Sequence, residues 1–117
     1  MSKNVLKTKS YDFAIVIVKL CQQLVKDKKE YVLSKQLLRS GTAIGALIRE
    51  AEFAESKRDF IHKMSIALKE ANETVYWIDI LKDTEYLENE KYTRIKAACS
   101  ELIALLVSSV KTTKSRL

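Results

Sequence analysis

Apolar residues return every three or four positions along most of this chain, the spacing that marks one face of a helix. Phe13, Ile17, Leu20 and Leu24 form the first such stripe. It predicts a helix over about residues 10–28, with Ser10 as N-cap and Asp12 in the first turn, where negative charge suits the dipole. The run Ala14-Ile15-Val16-Ile17-Val18 also resembles a buried strand, but the period continues through Leu24 with no turn residue, which decides for helix. Leu37, Ser40, Ile44, Leu47, Ala51 and Ala54 predict a second helix over about 33–55. A third, over 57–83, follows the cap-like Ser56-Lys57-Arg58-Asp59 and carries Phe60, Met64, Ala67, Ala71, Ile78 and Leu81. Tyr92, Ile95, Cys99, Leu102, Leu106 and Val110 stripe a fourth over 89–114. Four helices of similar length with short connections predict an all-α, up-down-up-down antiparallel four-helix bundle. Gly41 and Gly45, four apart inside the second helix, each cost about 1 kcal/mol relative to Ala, so they predict close helix packing, with a ligand slot as the other reading. Ile15, Val16 and Val18 broaden the first apolar face, and Ile103 and Val107 the fourth, which predicts burial against another subunit.

Composition narrows the class. The 117 residues suit a single domain, 1–117, long enough to bury a core without a disulfide or metal. No Pro, two Gly and 47% apolar content exclude collagen-like and disordered chains and disfavour an all-β fold. No apolar run approaches the ~20 residues that span a bilayer, and the start Met1-Ser2-Lys3-Asn4-Val5 lacks a signal-peptide segment, so a cytoplasmic location away from membranes is expected. Cys21 and Cys99 are too few and too distant for zinc, and both fall in apolar patterns that predict reduced core thiols.

Charge is uneven. The formal total is +6, and it divides as +5 over residues 1–35, −4 over 36–90 and +5 over 91–117. Antiparallel pairing of the first and last helices would gather Lys3, Lys7 and Lys9 with Lys111, Lys114 and Arg116 at one end, and Lys26, Lys28 and Lys29 with Lys91, Arg94 and Lys96 at the other. Such clusters attract phosphate backbones through long-range fields, while the plain alternative is a lysine-rich solvated surface.

Catalytic equipment is sparse. A di-iron bundle needs two Glu-x-x-His repeats, whereas the only histidine is His62, preceded by Asp59. No phosphate loop, dinucleotide fingerprint or zinc-protease motif occurs, so no enzyme, metal or cofactor is expected. Glu70 and Glu73 read as salt-bridge formers, and Tyr76-Trp77 as packing rather than a base-stacking platform. If helices two and three form a hairpin about Ser56, Arg39 opposes Glu73 and Glu50 opposes His62, a polar seam that would set their register.

Several segments resemble the family of proteins encoded in 23S rRNA intervening sequences. They are Gln36-Leu37-Leu38-Arg39-Ser40-Gly41-Thr42-Ala43-Ile44-Gly45-Ala46, Glu50-Ala51, Ser56 through Phe60, Ile66-Ala67-Leu68-Lys69-Glu70-Ala71-Asn72-Glu73-Thr74, and Tyr76-Trp77. The resemblance runs from Phe13 to about Leu106, and departs at Leu47, where the family commonly has Asn. It implies a non-enzymatic bundle that assembles as a homo-oligomer, in some members a pentamer. A similar accessory protein of diversity-generating retroelements implies RNA or DNA as partner, bound through basic surface alongside a reverse transcriptase. The expected function is an adaptor for nucleic acid or a ribonucleoprotein, using basic residues of the first and last helices; the alternative is a structural or protein-interaction bundle.

Overall fold

The computed structural model describes residues 2–117, with side chains from residue 5 onward. Four helices follow one another: α1 (Ser2–Lys28), α2 (Val32–Ala51), α3 (Lys57–Asp83) and α4 (Asn89–Lys114). Each packs on two neighbours, in the ring order α1–α2–α3–α4, within a rod of 48 × 21 × 20 Å. Lys7 reaches Glu52 while Cys21 reaches Ser34, which makes α1 and α2 antiparallel. The pairs Arg39–Glu73 with Glu50–Lys63, and Ala71–Cys99 with Asp79–Lys96, do the same for α2–α3 and α3–α4.

Helix α1 starts eight residues earlier than its stripe predicts. Leu6 lies in phase with Phe13 and is buried, so the helix begins before Ser10. Ser10 is therefore no cap: it is buried in mid-helix, and its hydroxyl donates to the Lys7 carbonyl at 3.1 Å. Helix α2 ends at Ala51 rather than 55, because the chain must reverse before Ser56, whose extended backbone (φ −157°, ψ 168°) caps α3. The Ser56 side chain accepts from the Asp59 N–H at 3.0 Å, and Asp59 accepts in return from the Glu55 N–H at 3.1 Å.

The connections turn without glycine. Lys29 (φ 56°) and Glu85 (φ 67°) occupy the left-handed region that usually ends helices with Gly. Beyond Lys29, the Glu30 N–H bonds the Leu24 carbonyl at 3.1 Å. The buried Glu30 carboxylate then accepts from the N–H groups of Val32, Leu33 and Ser34 at 3.2, 3.1 and 2.8 Å. One side chain thus satisfies three of the four donors that open a helix.

Both glycines face α1. A Cβ on Gly41 would come within 2.9 Å of the Ile17 side chain, which is wholly buried and branched at Cβ. At Gly45 the nearest atoms are the Ser10 carbonyl oxygen and hydroxyl at 3.4 Å, an ordinary contact. Close packing is their role here.

Between α2 and α3 the core is partly polar. The buried Ser40 and Thr74 hydroxyls bond at 2.9 Å, and Thr74 also donates to the Glu70 carbonyl at 2.8 Å. Outside them Arg39 pairs with Glu73, and with Glu70 at 3.3 Å. Glu73 also accepts from the Trp77 indole N–H at 2.9 Å. That bond, against a smaller effect of burial and helped by Arg39, holds the Glu73 carboxyl below its ordinary value. The other half of the expected seam differs: Glu50 pairs with Lys63 at 3.5 Å, while His62 is exposed. One residue along a helix turns a side chain by about 100°, and at this point Lys63 is the residue turned toward α2.

Three outcomes are expected. Gly41→Ala should destabilise, since overpacking costs about 1–3 kcal/mol against about 1 kcal/mol gained in helix propensity. Gly45→Ala should instead stabilise by up to about 1 kcal/mol; urea unfolding of both variants reads the difference. For Glu73 the folded pKa is depressed, so its contribution is complete above the unfolded value near ~4.3 and lost as pH falls through the folded one. Exposure of the pair limits that contribution to about 1 kcal/mol, so Glu73→Gln should cost about that at pH 6 and progressively less as the pH falls below ~4.3.

Candidate nucleic-acid interface

Antiparallel packing brings α1 and α4 side by side, as a basic surface requires. Their junction is the loosest of the four and opens into a groove of about 510 Å³. Lys9, Lys19, Lys91 and Arg94 line it, over an apolar floor that includes Phe13 and Ile95, with Asp12 and Glu101 interspersed. Lys9 pairs with Glu101 at 3.2 Å, and the Lys91 ammonium donates to the Gln23 amide oxygen at 2.7 Å. Lys19 is a member of this set that the charge clusters omit. Its position, seven residues or about two turns beyond Asp12, which lines the same groove, is the signal that finds it.

The remaining cations scatter. Lys7 and Arg116 do meet at one end, lining a common pocket, but Lys7 is held by Glu52 at 3.2 Å. Lys111 and Lys114 are exposed on the last turns of α4, and Lys3 lies outside the described side chains. At the other end Lys28 and Lys91 share a cleft with Lys82, and with Asp27, Glu85 and Glu88. Lys26 is turned to the opposite side, where it borders an apolar groove between α1 and α2. Lys29 sits in the α1–α2 turn, its ammonium 3.5 Å from the Lys26 carbonyl.

Lys96 leaves the expected cluster altogether. It faces α3, bonding Asp79 at 3.0 Å and the Tyr92 hydroxyl at 2.9 Å. The Tyr92 contact, then Asp79, raises the Lys96 pKa. Burial alone would raise the Asp79 carboxyl, but hydrogen bonds from Tyr92 and Lys96 outweigh it and hold Asp79 low. This triad ties α3 to α4 and is satisfied within the chain.

Four of the eleven acids in the middle of the sequence fall in turns. Glu52 and Glu55 precede α3, and Glu85 and Glu88 precede α4; Glu52 pairs with Lys7, and Glu85 and Glu88 share a cleft with Lys28 and Lys91, so folding dilutes both end clusters. What stays basic is the side groove together with the C-terminal Lys111, Lys114 and Arg116.

Burial, with Glu30 nearby, pushes the Cys21 thiol up to about 11, and burial pushes Cys99 up to about 12. Neither is a thiolate at neutral pH. Among the described residues, no three His, Cys, Asp or Glu side chains gather as metal ligands, and no helix is long and apolar enough to cross a membrane. Trp77 is committed to Glu73, whereas Tyr76 stands exposed with its ring 5.0 Å from the Trp77 ring, edge to face.

No curated protein of known function matches this chain. It is similar to a crystal structure described as a protein with unknown function from the S23 ribosomal protein family, from Bacteroides thetaiotaomicron. The two share 55% identity over 95% of this chain and 99% of that one, with a TM-score of 0.94. The family model described as 23S rRNA-intervening sequence protein matches residues 2–108. Sequence and fold agree across nearly the whole bundle, and the chain belongs to the 23S rRNA-intervening sequence protein family.

Proposed function

We propose that this bundle is a non-enzymatic, self-associating adaptor that binds nucleic acid, RNA or DNA, along the α1–α4 side. The observation that carries this reading is the groove itself, with four cations against two acids. Lys111, Lys114 and Arg116 extend the charge along the same helix. Lysine acts on phosphate as a point charge, and the groove offers no planar set of Arg, Asn and Gln to read base edges. Binding of this kind is electrostatic and weakly selective, and its affinity tracks the counterions released.

Self-association has its own surface. Tyr11, Ile15, Val18 and Val25 recur at intervals of four, three and seven residues on the side of α1 away from α4, and Tyr31 and Leu38 continue the patch across the α1–α2 turn. Arg49 lies over the Tyr11 ring at 5.5 Å on the same side. An apolar stripe of this length favours a second copy as its cover. The pentamer implied by the family resemblance would repeat the basic groove around a ring and add avidity without new contacts. The same patch also favours the second reading, a protein-interaction bundle whose basic charge is incidental.

Light scattering at micromolar concentration should give a mass near five times the 13.4 kDa chain, and Val25→Glu with Leu38→Glu should reduce it to one. A monomeric wild type would remove the assembly claim. Replacing Lys111, Lys114 and Arg116 by Gln should weaken binding to unrelated duplexes alike and lower the log–log salt slope by up to about 2–3. Wild-type binding that is undetectable at about 0.15 M salt would pass the lead to the protein-interaction reading.

A further inference from the structure

At the end of the rod where α1 starts and α4 finishes, all four helices surround a pocket of about 260 Å³. Its floor is the bundle core: Leu6, Ile48 and Met64 are buried, and Phe60 and Leu105 are half-buried beside them. Its wall is graded along one face of α4. Leu105 comes first, then Ser108, Ser109, Thr112 and Thr113, over roughly 12 Å of helix at ~1.5 Å per residue, and Arg116 follows in the turn past the helix end. Polarity therefore rises from the apolar floor, through hydroxyls, to a cation at the mouth.

The charges at the mouth are arranged for an anion. Glu52, the one acid lining the pocket, is neutralised by Lys7 at 3.2 Å. The Arg116 guanidinium has no ion pair among the described residues, and Lys57 donates to the Arg116 carbonyl at 2.9 Å, which anchors that residue to the start of α3. We propose that this pocket binds a medium-chain aliphatic carboxylate, its chain on the core residues and its head at Arg116 among the hydroxyls. The geometry sets the class. An alkyl chain fits a narrow pocket floored by Leu, Ile and Met, and a carboxylate matches a guanidinium bidentately. The pocket is separate from the groove between α1 and α4 and shares only Arg116 with the proposed basic surface, so the tryptophan variants, which keep Arg116, distinguish the two readings.

Calorimetry with monomeric octanoate on the full chain tests it. One molecule should bind per chain. Hexanoate, two methylenes shorter, should bind about fifteenfold more weakly, since each buried methylene is worth about fourfold. Octyltrimethylammonium, with the opposite head, should bind more weakly than octanoate, and Arg116→Gln should cost octanoate about fivefold. Thr112→Trp and Ser108→Trp change exposed positions at the mouth, and either should abolish octanoate binding while leaving the unfolding midpoint and the duplex affinity unchanged. Octanoate binding that does not saturate at one per chain, or that survives both tryptophans, overturns the proposal. Adsorption to anionic vesicles without binding of monomeric octanoate also overturns it, because the source would then be a membrane surface.

Discussion

The wholly buried Ile17 side chain rests against the bare backbone of Gly41, and the spacing of α1 and α2 depends on that contact. Any Cβ at position 41 would force these helices apart or displace a branched side chain that has no room to move. Their closeness lays Ser10 on Gly45 and Cys21 under the Ser34 carbonyl, so α1 commits one edge fully to α2. Its other edge meets α4 less closely, and it is there that the large groove opens. The bundle is tight on one side and grooved on the other for a single steric reason.

Polar interactions then set register within that frame. Ser40 and Thr74 place a hydroxyl pair in the α2–α3 core, where every buried side-chain polar atom among those described finds a partner. Arg39, Glu73 and Trp77 repeat the alignment at the surface, and Asp79, Tyr92 and Lys96 align α3 with α4. Exposed pairs of this kind contribute little each to stability, but a one-residue slip would break several together. Charges used in this way are withdrawn from binding, which separates Lys96 from Arg94, two residues away and exposed.

How much of this is legible in the sequence differs by level. Helix count, order and antiparallel topology follow from the 3.6-residue period, because a stripe has to be buried whatever its neighbours are. The cap at Ser56 is equally legible from local spacing, and the Arg39–Glu73 pair from a hairpin that pivots there. The start of α1 is not: Lys3, Lys7 and Lys9 disguise it as a basic tail, and only the burial of Leu6 reveals it. The turns are hidden as well, because Lys29 and Glu85 stand where glycine is the usual signal and Glu30 caps α2 from two residues before it.

By itself, then, the sequence determined an all-α bundle, its helix order, its inert cysteines and its excess of positive charge, all of which depend on residue type and period. Only the tertiary structure decided where that charge acts. It folded Glu52, Glu85 and Glu88 back on the basic segments, turned Lys96 toward Asp79 and Lys26 toward α2, and brought Lys19 into the groove with Arg94. The physical reason is that Coulomb interactions depend on distances in space, and chain position does not encode those distances until the helices have packed.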